Sequence, residues 1–261
     1  MWWLLVVGIL AVFGISFIYS NLGMGGGILF VPLLFWLTGY GEDQVVVISL
    51  CLVIANSLTA LMNHQREKLV DWKLGVILAS GAILGAIIGT EFNRMTGKEM
   101  FLIIFLTVVI AVIVKMLLDW KKQKEICETD DDRKMTHKNL AIASFGTIGA
   151  GFMTGCLGLG GGVINVPILM YILGRSTKKA AGTSFIIMII ASTVSLSLFS
   201  VSGTSIDLTY VFALAPVVFL GSFIGSRWGI KKLKCREVQL LFILVLAIAI
   251  VKTVYDFFIL F

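Results

Sequence analysis

Two glycine clusters are the residues of this chain whose type and spacing could act on a ligand. Gly23-Met24-Gly25-Gly26-Gly27 leads into Ile28-Leu29-Phe30-Val31-Pro32-Leu33-Leu34. Gly158-Leu159-Gly160-Gly161-Gly162 leads into Val163-Ile164-Asn165-Val166-Pro167-Ile168-Leu169. The second cluster starts 135 residues after the first (158 − 23). Each glycine costs a helix roughly 1 kcal/mol relative to alanine, so such clusters mark breaks in the helix. A helix N-terminus presents unpaired N–H groups and about half a positive charge. A glycine turn before it lets a ligand come close to the backbone, and together they make an anion site. The competing use of the same glycines is tight helix packing. Two copies in register favour binding or gating.

Neutral polar residues around the clusters would add hydrogen bonds to a releasable anion: Asn21, Ser49, Asn56, Asn165, Thr183 and Ser184. The substrate-binding set read from the sequence is therefore Gly23, Gly25, Gly26, Gly27, Ser49, Gly158, Gly160, Gly161, Gly162, Asn165, Thr183 and Ser184. Pro32 and Pro167 sit inside the following helices, where each removes a backbone donor and supplies a kink or hinge. Cys156 is read as a buried thiol rather than a soft ligand. Lys115 and Arg175 are expected to reach the membrane interface, as long basic side chains do. His64 is read as a solvated residue at a loop edge, and Glu91 as a partner of Arg94. The four cysteines, Cys51, Cys127, Cys156 and Cys235, lack C-x-x-C spacing and suggest neither a metal site nor a disulfide framework. No Walker, G-x-S-x-G or metal-spaced set is present, so no catalytic residues, no cofactor and no metal are expected.

The elements that must position these residues are membrane helices. Of 261 residues 58% are hydrophobic and only 14% charged, against about 45–50% and about 25% in soluble domains. Apolar runs approach the roughly 20 residues that cross a bilayer as helix. The fold class is an all-α polytopic membrane protein of two repeated halves, each with a glycine-rich break leading into a short helix. The first half, 1–118, reads as runs A (about Trp2 to Ser20), B (Gly27 to Thr38), C (Gln44 to Met62), D (Trp72 to Thr90) and E (Met100 to Leu118). A charged linker spans 119–138. The second half, 139–261, reads as A′ (Asn139 to Thr154), B′ (Gly162 to Leu173), C′ (Ala180 to Val201), D′ (Leu208 to Ser226) and E′ (Val238 to Phe258). Met1-Trp2-Trp3-Leu4 has no basic region before it, and the start is read as a retained first helix with interfacial tryptophans.

The same order of features recurs in both halves, with Ser49 matching Ser184 and Gly85 and Gly89 matching Gly221 and Gly225. D carries Gly81, Gly85 and Gly89, and D′ carries Gly221, Gly225 and Gly229. Glycines four apart share a helix face and favour close helix packing, within the chain or across a homodimer. The net charge of +6 lies in loops and points to membrane orientation, not to nucleic acid. Five crossings per half would make the halves inverted, with the linker and the loops holding Arg66, Lys68, Arg175, Lys178 and Lys179 on the inner side. Re-entrant B segments would instead give parallel halves, and B, at about 18 Å of helix, is short for a crossing.

At these residues the chain resembles the sulfite exporter TauE/SafE family of membrane transporters. The two G-x-G-G-G-x-x-x-V-P-x-L stretches carry the likeness, with Ala181-Gly182-Thr183-Ser184-Phe185, His64 and Val70-Asp71-Trp72. In the first half only Ser49-Leu50 of the Ala181–Phe185 element is matched. The resemblance implies a permease of a prokaryotic cytoplasmic membrane for a small sulfur-containing anion such as sulfite or a sulfonate. The expectation is a secondary transporter working by alternating access around the glycine turns, with the lipid bilayer and a small anionic substrate as partners and room for a coupling ion. An anion channel of the same architecture, or a membrane subunit without substrate, are the other readings.

Overall fold

The computed structural model describes residues 2–97, 136–204 and 208–232, with scattered positions between 100 and 114. Most of the E run and of the 119–138 linker, all of E′, Lys115, Cys127 and Cys235 fall outside the described residues. All regular structure among the described residues is helical: α1 (Trp2–Leu22), α2 (Gly27–Thr38), α3 (Glu42–Arg66), α4 (Trp72–Met95), α5 (His137–Leu157), α6 (Gly162–Pro167), α7 (Thr177–Val201) and α8 (Leu208–Lys232). Five of them, α3, α4, α5, α7 and α8, are long and apolar enough to cross a membrane. The chain is a multi-pass membrane protein.

Local chemistry sets the helix ends. Gly26 and Gly161, both in the left-handed region at φ 85° and 68°, precede α2 and α6. Asp71 caps α4 by accepting from the Leu74 N–H at 3.1 Å. Glu42 and Asp43 occupy the first turn of α3 and His64 and Arg66 its last, the arrangement that the helix dipole favours. The two prolines behave differently. α2 continues as α-helix through Pro32 to Thr38. After Pro167 the chain widens into a π turn over Ile168–Ile172, a feature typical of a helix adjusting to a lost i→i−4 bond.

Helix directions follow from which residues meet. Side chains added at Gly221, Gly225 and Gly229 of α8 would run into Phe13, Phe17 and Asn21 of α1, so these helices are parallel. Gly81, Gly85 and Gly89 of α4 lie in the same way on Ser144, Ile148 and Phe152 of α5. Asp71 and Gly75 meet Thr183 and Ile186, making α4 parallel to α7. Ser222 and Ser226 bond Asn56 and Asn63, making α8 parallel to α3. Val53 and Met188 share contacts, whereas His64 lies by Phe185 and Gly182, so α3 and α7 are antiparallel. Leu37 meets Gly8 and Ile15 meets Gly26, so α2 turns back along α1. Ile168 meets Gly146 and Ala150 meets Gly161, so α6 turns back along α5. Thus α1, α3, α6 and α8 point one way, and α2, α4, α5 and α7 the other. Helices at matching places in the two halves run in opposite directions.

The most extensive helix pairings join the two halves: α4 with α5, α1 with α8, α4 with α7, and α3 with α7 and α8. The four-spaced glycines are spent on the first two pairs. All but Gly229, which meets the Asn21 side chain, let one backbone lie against a carbonyl of its neighbour, as in membrane helix pairs generally.

Candidate site at the crossing of two glycine turns

α1 and α5 each end in a left-handed glycine, Gly23 at φ 70° and Gly158 at φ 68°. The two turns that follow meet each other. A Cβ on Gly27 would lie 2.5 Å from the Gly158 carbonyl oxygen, and one on Gly162 beside the Gly23 carbonyl and Met24 Cα. Only glycine permits this approach. The hydroxyl of Ser49, on α3, donates to the Gly158 carbonyl at 2.9 Å. The hydroxyl of Ser184, on α7, donates to the Gly23 carbonyl at 2.8 Å. Each serine therefore holds the turn of the other half. Gly25 and Gly160 both face the side chains of Val53 and Met188.

The helices leaving the crossing have no side-chain cap. The Gly26 carbonyl accepts from Leu29 and Phe30, and the Gly161 carbonyl from Ile164 and Asn165. The N–H groups of the first turn precede these bonds and have no partner within the helix. The positive ends of α2 and α6 thus both lie at the crossing.

The structure brings all eight site glycines together, with Ser49 and Ser184 bound to their carbonyls and Asn165 one turn along α6. Thr183 stands apart from the crossing. Its hydroxyl accepts from the Asp71 backbone N–H at 3.1 Å and holds the start of α4. Asn21 is also committed elsewhere: its amide donates to the Phe17 carbonyl at 2.9 Å and packs on Gly229. Cys156 is buried, as read, and its carbonyl accepts from Asn93 at 2.7 Å. Glu91 pairs with Arg94 at 3.1 Å, also as read.

Two readings are corrected. Arg175 does not reach out to the interface. Its guanidinium is largely buried and bonds the Asp71 carboxylate at 2.9 Å. Asp71 carries the Leu74 cap on its other oxygen, so one carboxylate starts a helix and joins two loops. His64 is not a solvated loop residue. It belongs to α3, is 1% exposed, sits 2.9 Å from the Ala60 carbonyl through Nδ1, and meets Phe185 edge-on at 5.3 Å. The missed signal was the length of α3, which runs four residues past Met62 and carries His64 into the helix. Sequence reasoning also passed over Ser57, Ser192 and Ser195, which are fully buried and whose hydroxyls have no hydrogen-bond partner among the described residues.

The profile of the family described as "Sulfite exporter TauE/SafE" matches residues 8–253. "Probable membrane transporter protein YunE" of Bacillus subtilis is 27% identical over 97% of both chains. A "Probable membrane transporter protein" of Methanocaldococcus jannaschii is 24% identical over 87% of this chain and 84% of its own. "Sulfite exporter TauE/SafE family protein 3" of Arabidopsis thaliana is 24% identical over 52% of this chain and 31% of its own. No solved structure matches the chain.

Proposed function

We propose, from the premise that this chain belongs to the sulfite exporter TauE/SafE family of membrane transporters, that it is a secondary transporter for a small anion. A sulfur oxyanion or organosulfonate such as sulfite is the substrate class. The observation that carries the reading is the crossing itself: two glycine turns held reciprocally by Ser49 and Ser184, with the positive ends of two helices beside them. Helix N-termini that approach one another from opposite faces are how repeat-built transporters hold an anion near the bilayer midplane. The backbone N–H groups after Gly26 and Gly161 are the donors in this reading, and rocking of the two halves about the crossing exposes them to each side in turn. The opposed directions of matching helices support a duplicated, inverted arrangement. The basic loops support an inner side for the 119–138 linker, in the cell membrane of a prokaryote. A coupling ion would drive net flux.

Flux of sulfite, thiosulfate, sulfoacetate and taurine into vesicles holding the purified protein tests the proposal. The expected result is saturable flux of at least one anion that follows an imposed ion gradient. Large single-channel currents would assign a channel instead, and no flux of any of these anions would overturn the transporter reading.

A further inference from the structure

The two sides of the crossing are not chemically equal. One side leads toward Arg66 and Asp71, the other toward Tyr40. α3 and α6 both run toward the Arg66 side. Val53 of α3 touches Gly160 at the crossing, and one turn further on come Asn56 and Ser57. Asn165 lies one turn beyond Gly161 in the same direction. All three residues are buried. Among the described residues, neither atom of the Asn56 carboxamide has a hydrogen-bond partner, nor has the Ser57 hydroxyl or the Asn165 carboxamide oxygen.

The matching positions on the Tyr40 side, found by the offset of 135, are Ala191, Ser192 and Phe30. There an alanine replaces one amide, and a phenyl ring packed on Gly26 replaces the other. Only the serine is retained. Buried polar groups in proteins nearly always have partners, and in a membrane protein uncompensated ones are costly and mark function. Amide atoms of Asn56 and Asn165 are orphaned on the Arg66 side, whereas at the matching positions on the Tyr40 side only the Ser192 hydroxyl is, and this difference points to a bound group on the Arg66 side.

The residue types define that group. There is no carboxylate, imidazole or ammonium in the set, so it does not exchange protons. The positive end of α2, which runs the other way from the crossing, faces it and disfavours a cation. A primary amide offers both N–H donors and a carbonyl acceptor. A bare oxyanion would satisfy the N–H groups of Asn56 and the Ser57 hydroxyl and leave both amide oxygens orphaned. We infer that Asn56, Ser57 and Asn165 form a one-sided subsite for a small anion that carries an N–H or O–H donor besides its acceptor oxygens. The inference rests on the transport reading for the anion and adds which side holds it and what it must donate.

Competition against sulfite flux in vesicles tests it, with 2-hydroxyethanesulfonate and 1-propanesulfonate as the pair. They match in charge and nearly in size, and differ by a hydroxyl in place of a methyl. The hydroxy compound is expected to compete about tenfold better, the effect of one buried hydrogen bond. Asn56→Leu and Asn165→Leu should bring that ratio toward one. Ser192→Ala, on the other side, should leave it unchanged. Equal competition in the unaltered protein overturns the subsite. So does a ratio that survives both leucine variants while flux falls, since that would make the amides structural or water-filled. If no sulfite moves at all, the transport reading fails separately, and calorimetric titration of the two sulfonates still reads the preference. A variant that does not fold is replaced by Asn56→Ser, for which the same loss of ratio is expected.

Discussion

The two ends of the molecule differ more than its two halves do at the centre. At the crossing the halves match contact for contact: Ser49 on Gly158 against Ser184 on Gly23, and Gly27 on one turn against Gly162 on the other. At the Arg66 end, Arg175 bonds Asp71, Thr183 holds the Asp71 backbone, and the Lys178 ammonium donates to the Ile230 carbonyl at 2.8 Å. The positions matching Arg175 and Thr183 at the other end are Tyr40 and Ile48. Tyr40 meets Tyr210 edge-on at 5.7 Å. The two turns thus share their contacts at the crossing, and the two ends do not. The matched contacts at the crossing use glycine and serine alone. The two ends hold by different chemistry, polar contacts at one and an aromatic contact at the other.

The largest effect should come from breaking the shared centre. Gly27→Val and Gly162→Val place a side chain against backbone, which cannot step aside as a flexible side chain would. Overpacking usually costs about 1–3 kcal/mol, and here the whole crossing must open, so little folded protein is expected from either variant. Size-exclusion profiles in detergent read this directly. Gly41→Ala is the control. No atom lies within 4 Å of its added Cβ, and its φ of −67° suits alanine. If Gly27→Val folds normally and Gly162→Val does not, the matched centre is a false reading.

Next in size is the unequal pair of ends. Arg175→Ala leaves the Asp71 carboxylate half-buried and without its cation. A cost of roughly 1–3 kcal/mol is expected, between exposed and fully buried pairs. Tyr40→Ala, at the matched position, gives up an edge-on ring contact worth about 0.5–1.5 kcal/mol and some packing area. Thermal unfolding of both variants ranks them. A double-mutant cycle of Asp71→Asn with Arg175→Gln isolates the charge interaction, because asparagine can still cap α4. A coupling near zero would mean that the Arg66 end is not latched by charge.

These contrasts also explain what was legible in the chain. The membrane class, the helix order and the meeting of the two glycine clusters could be read, because apolar length and glycine clustering are local properties. So could the serine match, since Ser49 and Ser184 keep the common offset. That both hydroxyls donate to carbonyls of the turns could not be read from spacing. Arg175 and His64 were misread for a single reason. A charged or titratable residue near a helix end looks solvated until its partner is known. Asp71 lies 104 residues from Arg175, and Phe185 lies on a helix of the other half. Asn56 was noticed only as one polar residue among several. That it is an orphan depends on every neighbouring element, which no spacing rule reports.

Ser49→Ala and Ser184→Ala give a finer test of the centre. Each removes one buried hydroxyl-to-carbonyl bond, worth about 0.5–1.5 kcal/mol. If the two turns are equivalent, the losses should agree closely. A difference of more than about 1 kcal/mol, read from unfolding in detergent, would show that one turn carries more load than its match.

The smallest effect is expected where an ion pair faces outward. Glu91 and Arg94 bond at 3.1 Å on the surface of α4, with side chains 52% and 39% exposed. Pairs of this kind at i, i+3 contribute about 0.2–0.5 kcal/mol and weaken with salt. Glu91→Gln should therefore lower the unfolding temperature barely, and the change should vanish at high ionic strength. The Asp71–Arg175 bond, shorter at 2.9 Å and largely removed from solvent, should keep most of its effect under the same salt. Buried charge pairs are screened far less than exposed ones. Salt thus separates these two ion pairs by their surroundings, since both join a carboxylate to a guanidinium. If both variants lose their effect equally in salt, Asp71 and Arg175 are open to solvent, and the Arg66 end is no firmer than the end it was compared with.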